Sequence, residues 1–276
     1  MAITGRMLSA LLAVVLVPAV AAWAGDTDLA DTARGLVEKH KDAVVLVEVV
    51  VKVKFSQNGQ SQEREHKMEG NGTVISPDGL TVLSGRSLDP APLYARLGIK
   101  ADASNSGVKI ILADGTEHEA TVVLTDKTLD LAFVRPKAKV TLPCVDLAKT
   151  EPLKLMDNLV SITRLNRQSN REPGVAVTRV LSVVNKPRLR YLCSGEMFQG
   201  CPVFTLSGQV LGLALVNSDT NSLAVLPSED ILDAVKQVPA ATEDAGKGPK
   251  DAAAPDTVKP TEVKPAEPKA PAPEAK

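Results

Sequence analysis

The chain has 276 residues, of which 44% are hydrophobic and 24% charged, and its formal net charge is -1. This composition is that of a soluble globular protein with one or two packed domains. A charge near zero supplies no basic field for counterion-driven binding, so nucleic acid is not an expected partner. With only three histidines, three cysteines and no close cluster of them, we expect no metal, no cofactor and no disulfide scaffold.

An apolar run near the start of the chain predicts an export signal. Arg6 precedes the run, which extends from Met7 to Ala24 and closes on a small-x-small triplet. A positive start, a short apolar middle and such an ending are read by export machinery and signal peptidase. The sequence therefore predicts a signal peptide over residues 1–24, cleavage near Ala24, and a periplasmic or secreted protein with no stable membrane anchor after cleavage. An uncleaved anchor stays open, because the run just reaches the length that spans a bilayer.

The folded part is predicted to cover residues 25–238 and to be mostly β-structure. Residues 28–41 carry apolar side chains at helical spacing, which predicts an N-terminal helix. Residues 43–55 finish in strict alternation of apolar and polar side chains, as in a half-buried strand. The following stretch, 56–67, is polar and is interpreted as a loop that includes His66.

Turn signals punctuate the remainder of this region. Asp-Gly or Ser-Gly pairs at 78–79, 114–115 and 207–208 lie between runs of β-forming residues. Glycine supplies the positive backbone angle that tight hairpin turns need. Ser228 is placed to cap a last, short helix whose first turn is acidic. Many short strands with helices only at the ends predict an all-β barrel or sandwich.

Residues 239–276 are dominated by Pro, Ala, Lys, Glu and Thr. Such a stretch has too little apolar surface to offset the entropy of ordering by burial. We therefore expect a disordered Pro/Ala/Lys/Glu-rich tail, with a role as spacer or envelope contact left open.

Several segments match, in order, the motifs of one known family. The first, 70–79, is Gly-Asn-Gly-Thr-Val-Ile-Ser-Pro-Asp-Gly, close to the family's Gly-Ser-Gly, three hydrophobic residues and Ser-x-Asp-Gly. The others are 108–134, 153–162 and, near the end, Gly200-Cys201-Pro202-Val203-Phe204 with the hairpin and strand that follow it. In this arrangement the chain resembles the trypsin-like serine peptidases, specifically the bacterial HtrA (Deg) branch.

The resemblance implies a fold and three site positions. The fold is a trypsin-like double six-stranded β-barrel, with barrels at about 43–136 and 137–227, a cleft between them, and no PDZ-like domain after them. The family's Thr-Asn-x-His falls on residues 83–86, so Arg86 takes the place of the general base. Asp130 matches the family's aspartate, and Gln199 takes the place of the nucleophilic serine.

These residue types cannot perform the family's chemistry. A guanidinium stays protonated near neutral pH and has no lone pair to accept a hydroxyl proton. A carboxamide is not a nucleophile for acyl transfer. Met197 and Cys201 replace two glycines of the nucleophile loop, which puts the oxyanion hole in doubt. The sequence predicts a pseudoprotease, with no catalytic residues and with Arg86 and Asp130 in a bidentate ion pair.

Binding remains possible without catalysis. In trypsin-like folds a strand near the nucleophile pairs with extended substrate, and here this strand holds Leu215, Val216 and Asn217. Strand addition uses the main chain, so the expected partner is a polypeptide or an envelope protein. We also expect Cys193 and Cys201 to form a disulfide in an oxidising compartment, with buried thiols as the alternative and no nucleophilic role for Cys201.

Two other functions stay open. The chain is an active serine endopeptidase if displaced residues restore a triad; Ser84 and Ser87 flank Arg86, although no base is identified for them. Alternatively, it is a structural domain that acts through its tail. The sequence leaves the oligomeric state open.

Overall fold

A computed structural model of the chain describes residues 24–57, 60–88, 101–148, 150, 152–216 and 222–240. Residues 1–23 and 241–276 lie outside this description, so the predicted signal peptide and tail stay predictions. Among the described residues, no helix combines the length and the apolar character that crossing a membrane requires.

The described residues form two barrels of antiparallel strands between two helices. The first barrel consists of β1 (Val44–Gln57), β2 (Gln60–Val74), β3 (Thr81–Ser84), β4 (Ala101–Ile111), β5 (Glu117–Asp126) and β6 (Leu131–Pro136). The second consists of β7 (Asn158–Arg164), β8 (Pro173–Val184), β9 (Arg190–Ser194), β10 (Pro202–Thr205), β11 (Val210–Val216) and β12 (Leu223–Pro227). Helix α1 (Ala24–His40) precedes the first barrel, and helix α2 (Ser228–Val235) follows the second.

Each barrel is closed by hydrogen bonding. The strand orders around the two barrels are β1-β2-β3-β6-β5-β4 and β10-β11-β12-β9-β8-β7. The first half of β2 extends beyond the closed part of its barrel, because β2 pairs with β3 only at Gly72, Thr73 and Val74. The predicted all-β fold, with two six-stranded barrels, an N-terminal helix and a short C-terminal helix, is confirmed.

The three predicted glycine turns are present. Gly79, Gly115 and Gly208 have φ angles of 82°, 87° and 86°, and each joins two consecutive strands. At Gly79 an added Cβ would also lie 2.7 Å from the Pro136 Cγ. A side chain there is thus excluded by backbone angle and by packing.

Two local predictions were wrong. The stretch interpreted as a polar loop belongs largely to β2, where His66 pairs with Val51 of β1. Long β1 needs a partner for its backbone groups, and outward charges such as Lys52 and Glu65 pair across the two strands at 3.1 Å. Ser228 is the first residue of α2 and not its cap; its buried hydroxyl donates to the Val210 carbonyl at 2.8 Å.

The two barrels pack against each other through apolar side chains. One cluster joins Val82, Leu131 and Phe133 of the first barrel to strands β11 and β12 and to helix α2. A second joins α1, through Leu36, and the start of β1 to Phe204 of β10 and its neighbours. These contacts fix the ends of β3 and β6 relative to the segment before β10, which is where the functional site lies.

A buried arginine also links the barrels. Arg164 ends β7, is 3% exposed, and donates from Nε to the Val44 carbonyl and from Nη1 to the Arg171 carbonyl, both at 2.9 Å. Its Nη2 donates to the Lys41 carbonyl, and its backbone N-H donates to Asn71 Oδ1 at 2.9 Å. Residues from both barrels thus converge on one side chain.

Candidate functional site

The site is built where β3 and β6 lie side by side in the first barrel. Ser84, the last residue of β3, pairs with Leu131, the first of β6. The 3-10 turn Gly85–Ser87 follows and places Arg86 beside Asp130. Asp130 has a φ of 57°, a left-handed angle that aspartate tolerates better than most residues, and its carbonyl accepts from the Gly85 N-H at 2.9 Å.

The three positions named from the sequence come together around the Asp130 carboxylate. Oδ1 accepts from the backbone N-H of Arg86 at 3.0 Å, and Oδ2 accepts from the Ser84 hydroxyl at 2.8 Å. Gln199 Nε2 donates to Ser84 Oγ and lies 3.5 Å from Asp130 Oδ2. A serine hydroxyl, and not an imidazole, therefore connects the aspartate to the nucleophile position.

Ser84 is the functional residue that sequence reasoning undervalued. Its side chain is fully buried, and besides bonding Asp130 and Gln199 it accepts from the Arg86 N-H at 3.3 Å. In the sequence, only its position near Arg86 drew attention to it. Its bond to Asp130 could not be predicted, because that bond depends on how β3 pairs with β6.

The predicted bidentate pair between Arg86 and Asp130 is not formed. The contact runs from Nε to Oδ2 at 3.8 Å, and the Arg86 side chain is 32% exposed. The 3-10 turn directs the Arg86 amide to Oδ1 and the Ser84 hydroxyl lies against Oδ2, and in this arrangement the guanidinium makes one longer contact with Oδ2. The guanidinium therefore does not make the two parallel hydrogen bonds of a bidentate pair, but its positive charge remains close to Asp130.

Burial sets the protonation behaviour of this carboxylate. Desolvation raises the pKa of Asp130 above its ordinary value of 3.8, and this effect outweighs the lowering caused by the hydrogen bonds from Ser84 and Arg86 and by the Arg86 charge. The folded chain therefore holds a proton on Asp130 more tightly than the unfolded chain does.

We expect the free energy of unfolding of the wild type, relative to Asp130→Asn, to fall as pH rises from roughly 4 toward 7. The advantage of the carboxyl is largest below its ordinary pKa and is lost as pH rises through the raised pKa, because only the ionised form suffers from burial. Asparagine has the same shape and does not titrate. Urea unfolding at a series of pH values measures the difference, and a difference that increases with pH would contradict this reading.

The loop before β10 is held by contacts with both barrels. Gly200 has a φ of 82°, and a Cβ there would lie 2.3 Å from the Asn71 carbonyl oxygen of the first barrel. Its own carbonyl accepts from Thr73 Oγ1 at 3.0 Å, and its N-H donates to the Ala214 carbonyl at 2.8 Å. This close approach fixes Gln199 next to Ser84.

Met197 changes the other side of this loop. Its side chain is 5% exposed and packs in the core of the second barrel. Among the described residues, the non-glycine positions with positive φ are Asp130, Met156, Asn170 and Arg171, so Met197 does not adopt the left-handed backbone that glycine permits. Met197 therefore has an ordinary negative backbone angle at a position where the family's motif has glycine.

The predicted peptide-binding strand is β11, of which Leu215 and Val216 are described and Asn217 is not. The described pairing of β10 with β11 ends at Pro202 and Leu213, and the loop before β10 bonds to Ala214. On its other side β11 pairs with β12 as far as Val216. The last residues of β11 thus extend beyond the part of the strand that pairs with β10.

The three cysteines are free thiols, so the structure departs from the predicted Cys193–Cys201 disulfide. Cys201 is fully buried in the cluster that contains Phe204, whereas Cys193 packs with the core of the second barrel around Tyr191. Burial raises the pKa of Cys193 to about 11 and that of Cys201 to about 12. Neither thiol is activated as a nucleophile.

The histidines lie in other environments. His40 stacks on Phe204 with ring centroids 4.7 Å apart, and burial lowers its pKa. His66 and His118 belong to β2 and β5. In the residues that the structure describes, no group of three His, Cys, Asp or Glu side chains is arranged to hold a metal ion.

Two six-stranded barrels, with an aspartate at the start of β6 facing the loop before β10, define the class of trypsin-like double-barrel proteins. The chain belongs to the trypsin-like peptidase domain family, whose model matches residues 70–213, just over half of the chain.

The chain is also similar to HtrA serine proteases. It is 22% identical over 206 residues to Serine protease HTRA1 of Xenopus tropicalis, covering 71% of this chain and 40% of that protein. It is 25% identical over 207 residues to Serine protease HTRA1B of Danio rerio (71% and 39%), and 24% identical over 209 residues to mitochondrial Serine protease HTRA2 of Bos taurus (70% and 40%). The chain spans about two fifths of the length of these relatives.

Proposed function

We propose that this chain is an exported HtrA-like pseudoprotease, which binds polypeptide segments or acts as an envelope scaffold and does not cleave them. The observation that carries the proposal is the hydrogen-bonded connection from Asp130 through the Ser84 hydroxyl to the Gln199 amide. In an active triad this connection runs through an imidazole that removes the nucleophile's proton.

The chemistry of the three positions supports inactivity. Arg86 cannot accept a proton, and Gln199 cannot form an acyl intermediate. Losing both the base and the nucleophile costs on the order of 10⁶ in turnover in a comparable triad. The buried Ser84 hydroxyl does not supply a replacement nucleophile, because a peptide carbonyl cannot reach it without opening the barrel interface.

The end of β11 supports binding. Ala214 bonds through its N-H and carbonyl to the loop before β10, at 3.0 Å to the Cys201 carbonyl and 2.8 Å from the Gly200 N-H. Backbone groups alternate in direction along a strand, so those of Val216 point to the same edge as those of Ala214. An extended peptide can add to this edge without any catalytic side chain.

The site of action belongs to the same proposal. A signal peptide over residues 1–24 would deliver the domain to the periplasm or the exterior, where unfolded and partly degraded polypeptides are available. The residues after 238 are then a tethering or spacing segment, and tail-mediated anchoring is the competing use of the same chain.

Fluorescein-labelled casein, which is largely unfolded, tests the proposal. We expect binding by fluorescence anisotropy, no cleavage on gels, and no labelling by a fluorophosphonate. Val216→Pro removes only the N-H that points to the open edge and is expected to weaken binding about tenfold, because one main-chain hydrogen bond is lost and the partner carbonyl is left buried.

Val216→Ala is the matched control, since it shortens the same side chain and keeps the N-H. Equal weakening by both substitutions would assign binding to the side chain and not to strand addition. Casein cleavage that Ser84→Ala abolishes would establish an active peptidase with a displaced nucleophile and refute the proposal.

A further inference from the structure

We propose that the cleft captures peptides by their C-terminal carboxylate, which the Arg86 guanidinium receives beside Gln199 at the end of the added strand. The inference rests on the proposed strand addition at β11 and adds the class of ligand to it: peptides with a free C-terminus, such as the products of other proteases.

Strand direction brings a carboxyl end to this point. β10 runs antiparallel to β11, and its pairing starts with Pro202 opposite Leu213. A guest strand that pairs antiparallel with β11 at Val216 runs in the same direction as β10 and lies just before it. Its carboxyl end therefore meets the loop at Gln199 and Gly200, where the protein's own chain begins to pair with this edge of β11.

Two donor-bearing side chains meet at that end. Arg86 Nε lies 3.8 Å and Gln199 Nε2 lies 3.5 Å from the same oxygen, Asp130 Oδ2. The guanidinium has five N-H donors and a permanent positive charge, and it is 32% exposed, so a ligand can approach it while other contacts persist. A carboxylate arriving at Gln199 finds this cation beside it.

The order of charges favours an anion at this position. Asp130, Arg86 and a ligand carboxylate form the sequence anion, cation, anion, which is also the order in the acyl-transfer intermediate of an active triad. The Asp130 carboxylate also accepts hydrogen bonds from the Ser84 hydroxyl and the Arg86 amide, so the Arg86 guanidinium is not its only partner. A peptide bound in the opposite orientation would place its terminal ammonium next to Arg86 and be repelled. An internal segment of a polypeptide would place a neutral amide there and gain no charge-assisted bond.

The test uses the full-length protein and two pools of N-terminally fluorescein-labelled octapeptides, randomised over Thr, Val, Ala and Ser and identical except for a C-terminal carboxylate or amide. We expect the carboxylate pool to bind at least about tenfold tighter, as charge-assisted hydrogen bonds are worth that much. The preference is expected to shrink as salt rises, because the site is partly exposed.

Arg86→Gln is expected to bring the two pools to within about twofold of each other, whereas Arg86→Lys retains part of the preference. Arg34→Gln, the same change at an exposed position of α1, is the matched control and keeps the full preference. Circular dichroism checks that each variant is folded, and the comparison of pools on the unaltered protein needs no variant.

Each outcome decides the question. Equal binding of both pools, lost in Val216→Pro, overturns the carboxylate site and leaves strand addition intact. Absence of binding by either pool overturns the proposed peptide binding together with this inference. A carboxylate preference that survives in Arg86→Gln shows that another group holds the anion, and so also overturns the assignment.

Discussion

Arg164→Met is expected to lower the free energy of unfolding by about 3 kcal/mol, which for a domain of ordinary stability is a large share of the total. Three carbonyl groups, those of Lys41, Val44 and Arg171, accept hydrogen bonds from this one guanidinium. Methionine replaces the aliphatic stem of arginine and has no donor, so the substitution leaves these acceptors without their partner in a region that water reaches poorly.

Two effects oppose each other at this residue. Burial of the cation is itself unfavourable, and desolvation lowers the pKa of Arg164, while Asp42, whose Oδ1 lies 3.9 Å from Nη2, and Glu172 raise it. Methionine removes that cost. The loss of the hydrogen bonds nevertheless outweighs this gain, because only the donor is removed and each buried acceptor left unsatisfied costs about 1–3 kcal/mol.

Urea unfolding measures the change, with Arg167→Met as the control. Arg167 is exposed in the 3-10 turn that follows β7, so its replacement should alter stability by no more than about 0.5 kcal/mol. Arg164→Lys separates charge from geometry, since an ammonium keeps the charge without the planar fork that reaches three carbonyls. A loss below about 1 kcal/mol for Arg164→Met would show that water replaces the guanidinium at these acceptors.

The all-β character could be predicted from local signals in part of the chain, whereas the two six-stranded barrels were implied by the family resemblance. Alternation in β1 and the glycine turns at Gly79, Gly115 and Gly208 mark strands and their ends within a few residues of sequence. The hydrophilic first half of β2 has no such signal of its own. It becomes a strand because β1 offers unpaired backbone groups along its whole length, which is a property of the partner and not of the segment.

The sequence predicted which residues lie at the site but not how they are hydrogen-bonded to one another. Family motifs located Arg86, Asp130 and Gln199, and the structure brings all three together. The role of Ser84 depends on the register of β3 with β6 and on the turn after β3, which turns the Arg86 amide toward the carboxylate. These tertiary features decide that a hydroxyl bonds to Asp130 where the sequence suggested a guanidinium fork.

Restoring the family's residues with Arg86→His and Gln199→Ser is expected to leave casein hydrolysis at the wild-type background, on the order of 10⁶-fold below a working triad. The introduced imidazole must lie between the Asp130 carboxylate and residue 199, but the Ser84 hydroxyl already bridges these two positions, donating to Asp130 Oδ2 and accepting from Gln199. Arg86→His alone is equally inactive in expectation, because Gln199 cannot be acylated.

Adding Ser84→Ala separates the two obstacles. Alanine frees Asp130 Oδ2 for the imidazole, so the triple variant should show slow serine-dependent fluorophosphonate labelling that the double variant lacks. Turnover should still be weak, since Met197 lies in the core without the left-handed backbone that glycine permits, and a missing oxyanion donor costs about 10²–10³ in rate. Rapid hydrolysis by the double variant would mean that neither Ser84 nor the Met197 loop prevents catalysis, and that the substitutions at 86 and 199 alone account for the loss.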